Sequence, residues 1–138
     1  MTVLPAMADS LTSDGWMAVV QERVLAPPWR DAMVALIGSY SVNTDFRPYN
    51  VVEEVVSREL FAVASVHETP LQTLEQPSER YVDALHARNG LMVEELGKQG
   101  TAEFDAQLLE VLGRYGARPN VTVRTTNRVT FGRPLRPV

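Results

Sequence analysis

Few residues in this 138-residue sequence can carry acid–base chemistry: there are two histidines, His67 and His86, and no cysteine. Without thiols there is no disulfide, no thiolate zinc site and no cysteine nucleophile. His86 falls in Tyr81-Val-Asp-Ala-Leu-His-Ala-Arg-Asn-Gly90, a segment with helical apolar spacing. An imidazole there can orient a substrate or take a proton from a nucleophilic hydroxyl. Its alternative is a histidine bonded to a backbone carbonyl or left in water. His67 stands at a strand end beside Glu68 and reads as a surface residue. Two histidines at no ligand spacing do not make a metal site. Trp29, Tyr40, Phe46, Tyr49 and Tyr81 can line an apolar pocket with polar tips, or simply pack a core. Gln21 and Glu22 end a strand, and ligands of open α/β sheets sit beyond the carboxyl ends of strands. Glu22 reads more readily as solvated, as do Glu94-Glu95 and the basic run from Arg133. Arg124 and Arg128 share one strand face and suit packing or solvent better than anion binding.

The elements that must position these residues follow from periodicity. Val3, Leu4, Met7 and Leu11 lie at helical spacing, and Ser13-Asp14-Gly15 marks a turn. Trp16 to Val20 is apolar at both parities, as in a strand covered on both faces, and ends in Gln21-Glu22-Arg23. Ala26-Pro-Pro-Trp29 breaks the chain. Arg30 to Ser39 reads as a helix with Met33, Leu36, Ile37 and Tyr40 inward. Asn50 can cap the next helix, with Glu53 reaching back three residues on, and Val51, Val52, Val55, Val56 and Leu60 form its apolar face. Phe61 to Val66 suits a strand, and Leu71 to Gln76 reads as irregular. Pro77 opens a helix that ends before Gly90. Thr101 caps another, which buries Phe104, Leu108, Leu109, Leu112 and Tyr115 and stops at Gly116. Val121 to Phe131 alternates strictly, with Val121, Val123, Val129 and Phe131 on one face and Thr122, Arg124, Arg128 and Thr130 on the other.

The expectation is a single α/β domain over residues 1–138, with three strands near 16–22, 61–66 and 121–131 and helices packed on them. A composition of 45% apolar and 22% charged residues is ordinary for a soluble globular chain. A net charge of −4 carries no basic footprint for nucleic acid. No apolar run approaches the ~20 residues of a membrane helix, and the start lacks the basic region of a secretory signal, so the expected location is cytoplasmic.

Several strings in shared order resemble the type 11 branch of the class I S-adenosylmethionine-dependent methyltransferases. They are Ala26-Pro-Pro-Trp-Arg30, Ile37-Gly-Ser-Tyr-Ser41, Asp45-Phe-Arg-Pro-Tyr-Asn50, Glu59-Leu-Phe61, Tyr81 to Gly90, Phe104-Asp105 and Val129-Thr-Phe-Gly-Arg-Pro134. The resemblance covers nearly the whole chain. It implies that the three strands are the fifth, sixth and seventh of that fold, the seventh running antiparallel between the other two. It also implies that Arg30–Ser39 and Pro77–Asn89 belong to a helical cap over a small-molecule substrate. On that basis Trp29, Tyr40, Tyr49, Tyr81 and Gln21 are the candidate substrate-binding residues, and His86 is the candidate catalytic one.

The family holds its donor with a strand, a Gly-rich turn and a helix that lie before the part this chain matches. This sequence has no G-x-G-x-x-G, so no residue of it is expected to hold a cofactor or a metal. Within the matched part, Ala87 stands where the family usually has Ser. Leu91-Met-Val-Glu-Glu95 replaces a polar, Arg-containing run. The expectation is one subunit of a split methyltransferase, S-adenosylmethionine being supplied through a partner chain docked on strand 16–22. The alternatives are a repurposed homodimeric small-molecule-binding module, a cofactor-free enzyme of cyclase or isomerase type, or a regulatory remnant that binds an intact methyltransferase.

Overall fold

The computed structural model describes residues 3–45, 47, 49–88 and 90–135. Along the chain run α1 (Val3–Ser10), β1 (Met17–Val24), α2 (Arg30–Tyr40), α3 (Val51–Ser57), β2 (Phe61–Glu68), β3 (Gln72–Pro77), α4 (Ser78–Asp83), a 3-10 turn (Ala84–Ala87), α5 (Val93–Arg114) and β4 (Asn120–Pro134). Among the described residues the sheet has four strands, in the order β1-β4-β2, with β3 also paired to β4. β4 is antiparallel to β2, Phe61 facing Pro134 and Glu68 facing Arg128. It is likewise antiparallel to β3, Gln72 facing Thr125 and Pro77 facing Asn120.

The fold is mixed α/β as expected, but the three-strand count is corrected by β3. Leu71–Gln76 reads as irregular because its residues are nearly all exposed and mostly polar, and Pro77 ends the strand without a donor. An edge strand with no buried face leaves no alternation to find.

The chain divides into two compact units. The first contains the described parts of Met1–Arg23, Arg47–Leu71 and Thr126–Val138. Its core gathers Leu4, Val55, Leu60 and Phe61, with Met17 and Val19 packed against them. Asn50 starts α3 as the sequence suggests: its Oδ1 accepts the Val52 N–H at 3.1 Å. Glu53 reaches back to the Asn50 side-chain amide at 3.0 Å. The helix closes with Leu60 N–H on the Val55 carbonyl and Glu59 N–H on Val56, which puts Glu59 at φ 55. That is the left-handed stop usually given to glycine. β1 is covered on one face only, which corrects the two-face reading. Met17 and Val19 are half-buried, while Trp16 is 54% and Val20 64% exposed. On this same open side Arg133 lies over the Trp16 ring, 4.8 Å from its centroid.

The second unit contains the described parts of Val24–Phe46 and Gln72–Thr125. Trp29, Val82, Leu85, Leu91, Phe104, Leu108, Val111, Leu112, Val121 and Val123 form its core. α5 begins eight residues before Thr101 and breaks at Gly97, whose φ of 71° and ψ of 169° are not helical. Thr101 is therefore inside the helix rather than its cap, and its Oγ1 is buried with no partner. At the other end Ala117 N–H bonds the Leu112 carbonyl and Gly116 N–H bonds Gly113, with Gly116 at φ 69. This is the expected glycine stop.

β4 departs from strict alternation. Val121, Val123 and Thr125 are buried in the second unit, whereas Thr130, Gly132 and Pro134 are buried in the first. The covered parity switches along the strand, so Thr130 is 1% exposed and Phe131 is 37% exposed, the reverse of the sequence reading.

Candidate functional site

α2 and α5 pack together within the second unit. α2 offers half-buried Ala32, Met33, Leu36, Ile37 and Tyr40 to the core yet buries no residue fully. Along the α2–α5 seam lies an open groove of about 290 Å³. Ala32, Ala35, Leu36 and Val111 give it apolar lining, and Ser39, Gln107, Glu110 and Arg114 polar lining. Its size is at the small end for ligand pockets, about 300–1,000 Å³. Gln107 donates to the Tyr40 hydroxyl at 2.7 Å, and the Tyr40 ring meets Phe104 edge-on at 5.5 Å. The groove sets apolar side chains beside hydroxyl, amide and charged groups.

The structure sorts the sequence candidates. Tyr40 adjoins the groove through Gln107. Trp29 and Tyr81 are core residues instead: Trp29 is 4% exposed and donates from Nε1 to the Tyr81 hydroxyl at 3.4 Å. That hydroxyl donates onward to Met33 Sδ at 3.4 Å, so both polar tips are used internally. Gln21 and Tyr49 belong to the first unit. Gln21 donates to Asn50 Oδ1 at 3.2 Å and buttresses the α3 cap, while Tyr49 is 75% exposed. Phe46 and Asn89 lie outside the described residues. The groove's own polar residues, Gln107, Glu110 and Arg114, carry no mark in the sequence. They occupy ordinary solvent-facing helix positions, and only the placement of α2 gives them an apolar neighbour.

His86 is buried, with both ring nitrogens engaged. Nδ1 lies 2.7 Å from the Leu91 carbonyl and Nε2 lies 2.7 Å from Asp105 Oδ1. Burial pushes its pKa down, but the Leu91 carbonyl, the Asp105 bond and charge, and the charge of Asp83 outweigh this and raise it above the ordinary value. In this conformation both ring nitrogens tie segments of the chain together. His67 is exposed, as expected, and stacks edge-on to Phe131 at 5.7 Å. Among the described residues no cluster of three metal-ligating side chains exists. No described helix is long and apolar enough to cross a membrane. No family model matches the sequence, and no curated protein matches it.

Proposed function

We propose that the chain supplies the substrate-cap side of a class I methyltransferase and acts with a partner chain that holds S-adenosylmethionine. One observation carries this reading. The last strand, β4, is inserted between β1 and β2 and runs antiparallel to β2. That is the order expected for the fifth, seventh and sixth strands of that fold. It leaves the outer edge of β1 unpaired among the described residues, beside the exposed Trp16 and Val20. An unpaired apolar edge is a template for another strand. The α2–α5 groove is then the acceptor-side surface. Methyl transfer needs the acceptor and the sulfonium held in line at near-attack distance, so this chain's contribution is positioning. Residues that bind the donor come from the partner.

A second reading, a homodimeric module that captures a small molecule with no methyl donor, is favoured by one feature. All eight groove residues belong to one unit, so the groove needs no second chain to exist. One experiment separates the two readings. The chain is titrated with S-adenosylmethionine by calorimetry, alone and after co-expression with the first four strands and Gly-rich turn of a class I methyltransferase. The first reading expects no heat alone and saturable binding by the co-purified pair. No co-purification, together with a homodimer in sedimentation, replaces it with the second.

A further inference from the structure

The groove's α2 wall is anchored at its end to a loop whose Leu91 carbonyl His86 holds. After α2, Val42 N–H donates to the Gly90 carbonyl at 3.1 Å. Gly90 N–H donates to Glu95 Oε2 at 3.1 Å, in the first turn of α5. The fit is tight: at φ 91 a Cβ on Gly90 would press within 2.8 Å of Asn43 Cβ. The next residue, Leu91, is 2% exposed, and its carbonyl is held by His86 Nδ1. The opposite ring nitrogen grips Asp105 of α5, and Phe104 of α5 meets the ring edge-on at 5.7 Å. One imidazole thus joins the 3-10 turn, the loop at Gly90–Met92 and α5, and the loop in turn holds the end of α2.

We propose that His86 is a proton-operated clasp on the α2–α5 groove: protonated, it ties the loop that holds the end of α2 to Asp105 of α5; deprotonated, it keeps the loop carbonyl and lets go of α5.

The chemistry follows from the partners. A backbone carbonyl only accepts, and so does an ionised carboxylate. Satisfying both requires a hydrogen on each ring nitrogen, which is the imidazolium form. Loss of one proton leaves a single N–H. Leu91 is buried away from solvent, whereas the Asp105 side chain is 36% exposed and can rotate into solvent. The remaining proton therefore stays on Nδ1, where the carbonyl has the greater need of it, and the link to α5 opens. The charged groups facing the ring are Asp83 beside its own turn and Asp105 on α5, with Glu95 one bond further along the loop at Gly90. All three are acidic, and the charges of Asp105 and Asp83 favour the closed clasp. Because the pKa is raised in the folded state, the clasp's stabilisation is complete below the ordinary histidine value of 6.5. It is lost as pH rises through the raised value.

The inference concerns regulation of the groove assigned above. It rests on that reading only for its consequence, so the test contains neither donor nor substrate. Amide exchange at Gly90, whose N–H reaches Glu95 of α5, and the His86 ring nitrogen shifts are followed by NMR from about pH 5.5 to 9, which spans the histidine titration. Expected is a loss of Gly90 protection of about tenfold or more, beyond the intrinsic base dependence, with the midpoint at the His86 titration. The surviving ring proton is expected on Nδ1. Asp105→Asn removes the nearest charge, and should keep the fold and move the midpoint to lower pH. Flat Gly90 protection across the His86 titration, or a midpoint unmoved by D105N, overturns the clasp and leaves the methyltransferase reading intact.

Discussion

The same chemical change, glycine to alanine, should have opposite signs at two positions. At Gly132 a Cβ would overlap the Ala62 carbonyl and come within 2.6 Å of the Phe61 ring. Gly132 faces Val63 on β2, and Phe61 is 2% exposed in the first core, so neither obstacle can move without parting β4 from β2. Overpacking of a well-filled site typically costs about 1–3 kcal/mol. With backbone as the obstacle, Gly132→Ala belongs at the upper end, about 3 kcal/mol. At Gly38, within α2, an added Cβ meets nothing within 4 Å. There the change gains only helix propensity and unfolded-state restriction, about 1 kcal/mol of stabilisation. Urea unfolding followed by far-UV circular dichroism measures both, with the midpoint shifting and the slope unchanged if the denatured states match. Equal shifts of the same sign would refute the reasoning. So would a neutral Gly132→Ala, which would mean that β2 and β4 pair in a different register.

Three further substitutions probe single features. Phe104→Ala empties a site that is fully buried and edge-stacked on both Tyr40 and His86. It should cost about 3–5 kcal/mol in the same denaturation assay. Thr101→Val removes the buried, unpartnered hydroxyl at almost constant volume and should stabilise by about 1 kcal/mol; a loss of stability would mean that this hydroxyl is bonded in solution. Glu59→Gly relieves a left-handed backbone position held by a non-glycine residue and should raise the thermal midpoint, the gain being about 0.5–1 kcal/mol.

Much of the fold is legible because local chemistry and long-range packing agree. The Asn50 cap, the Gly116 stop and the inward stripe Met33, Leu36, Ile37 and Tyr40 are each written in a few neighbouring residues. Legibility fails where one element is covered differently along its length. β4 keeps a two-residue period in sequence, yet the parity of its buried residues changes between Thr125 and Thr130, so the period alone puts Thr130 in solvent and Phe131 in the core. β3 fails for the opposite reason, since nothing covers it and its pairing to β4 is a backbone matter. The site is harder still. Aromatic residues advertise a pocket and a core in the same way. Trp29 and Tyr81 spend their polar atoms on each other and on Met33, and only the folded arrangement distinguishes that from a ligand contact. His86 is legible as special but not as doubly tied, because Leu91 and Asp105 reach it from five and nineteen residues away. The Leu91-Met-Val-Glu-Glu95 run forms the loop whose Leu91 carbonyl meets His86 and the acidic first turn of α5.

The proposed assembly turns on the outer edge of β1. Hydrogen exchange of the amides from Met17 to Val24 should be measured on the chain alone and with the donor-binding half present. Pairing in the manner of a fifth strand requires the outward amides to exchange quickly alone and to be strongly protected in the complex, with Trp16 emission shifting to the blue. Outward amides that exchange at the same rate in both samples, in a complex that nonetheless binds S-adenosylmethionine, would contradict that arrangement.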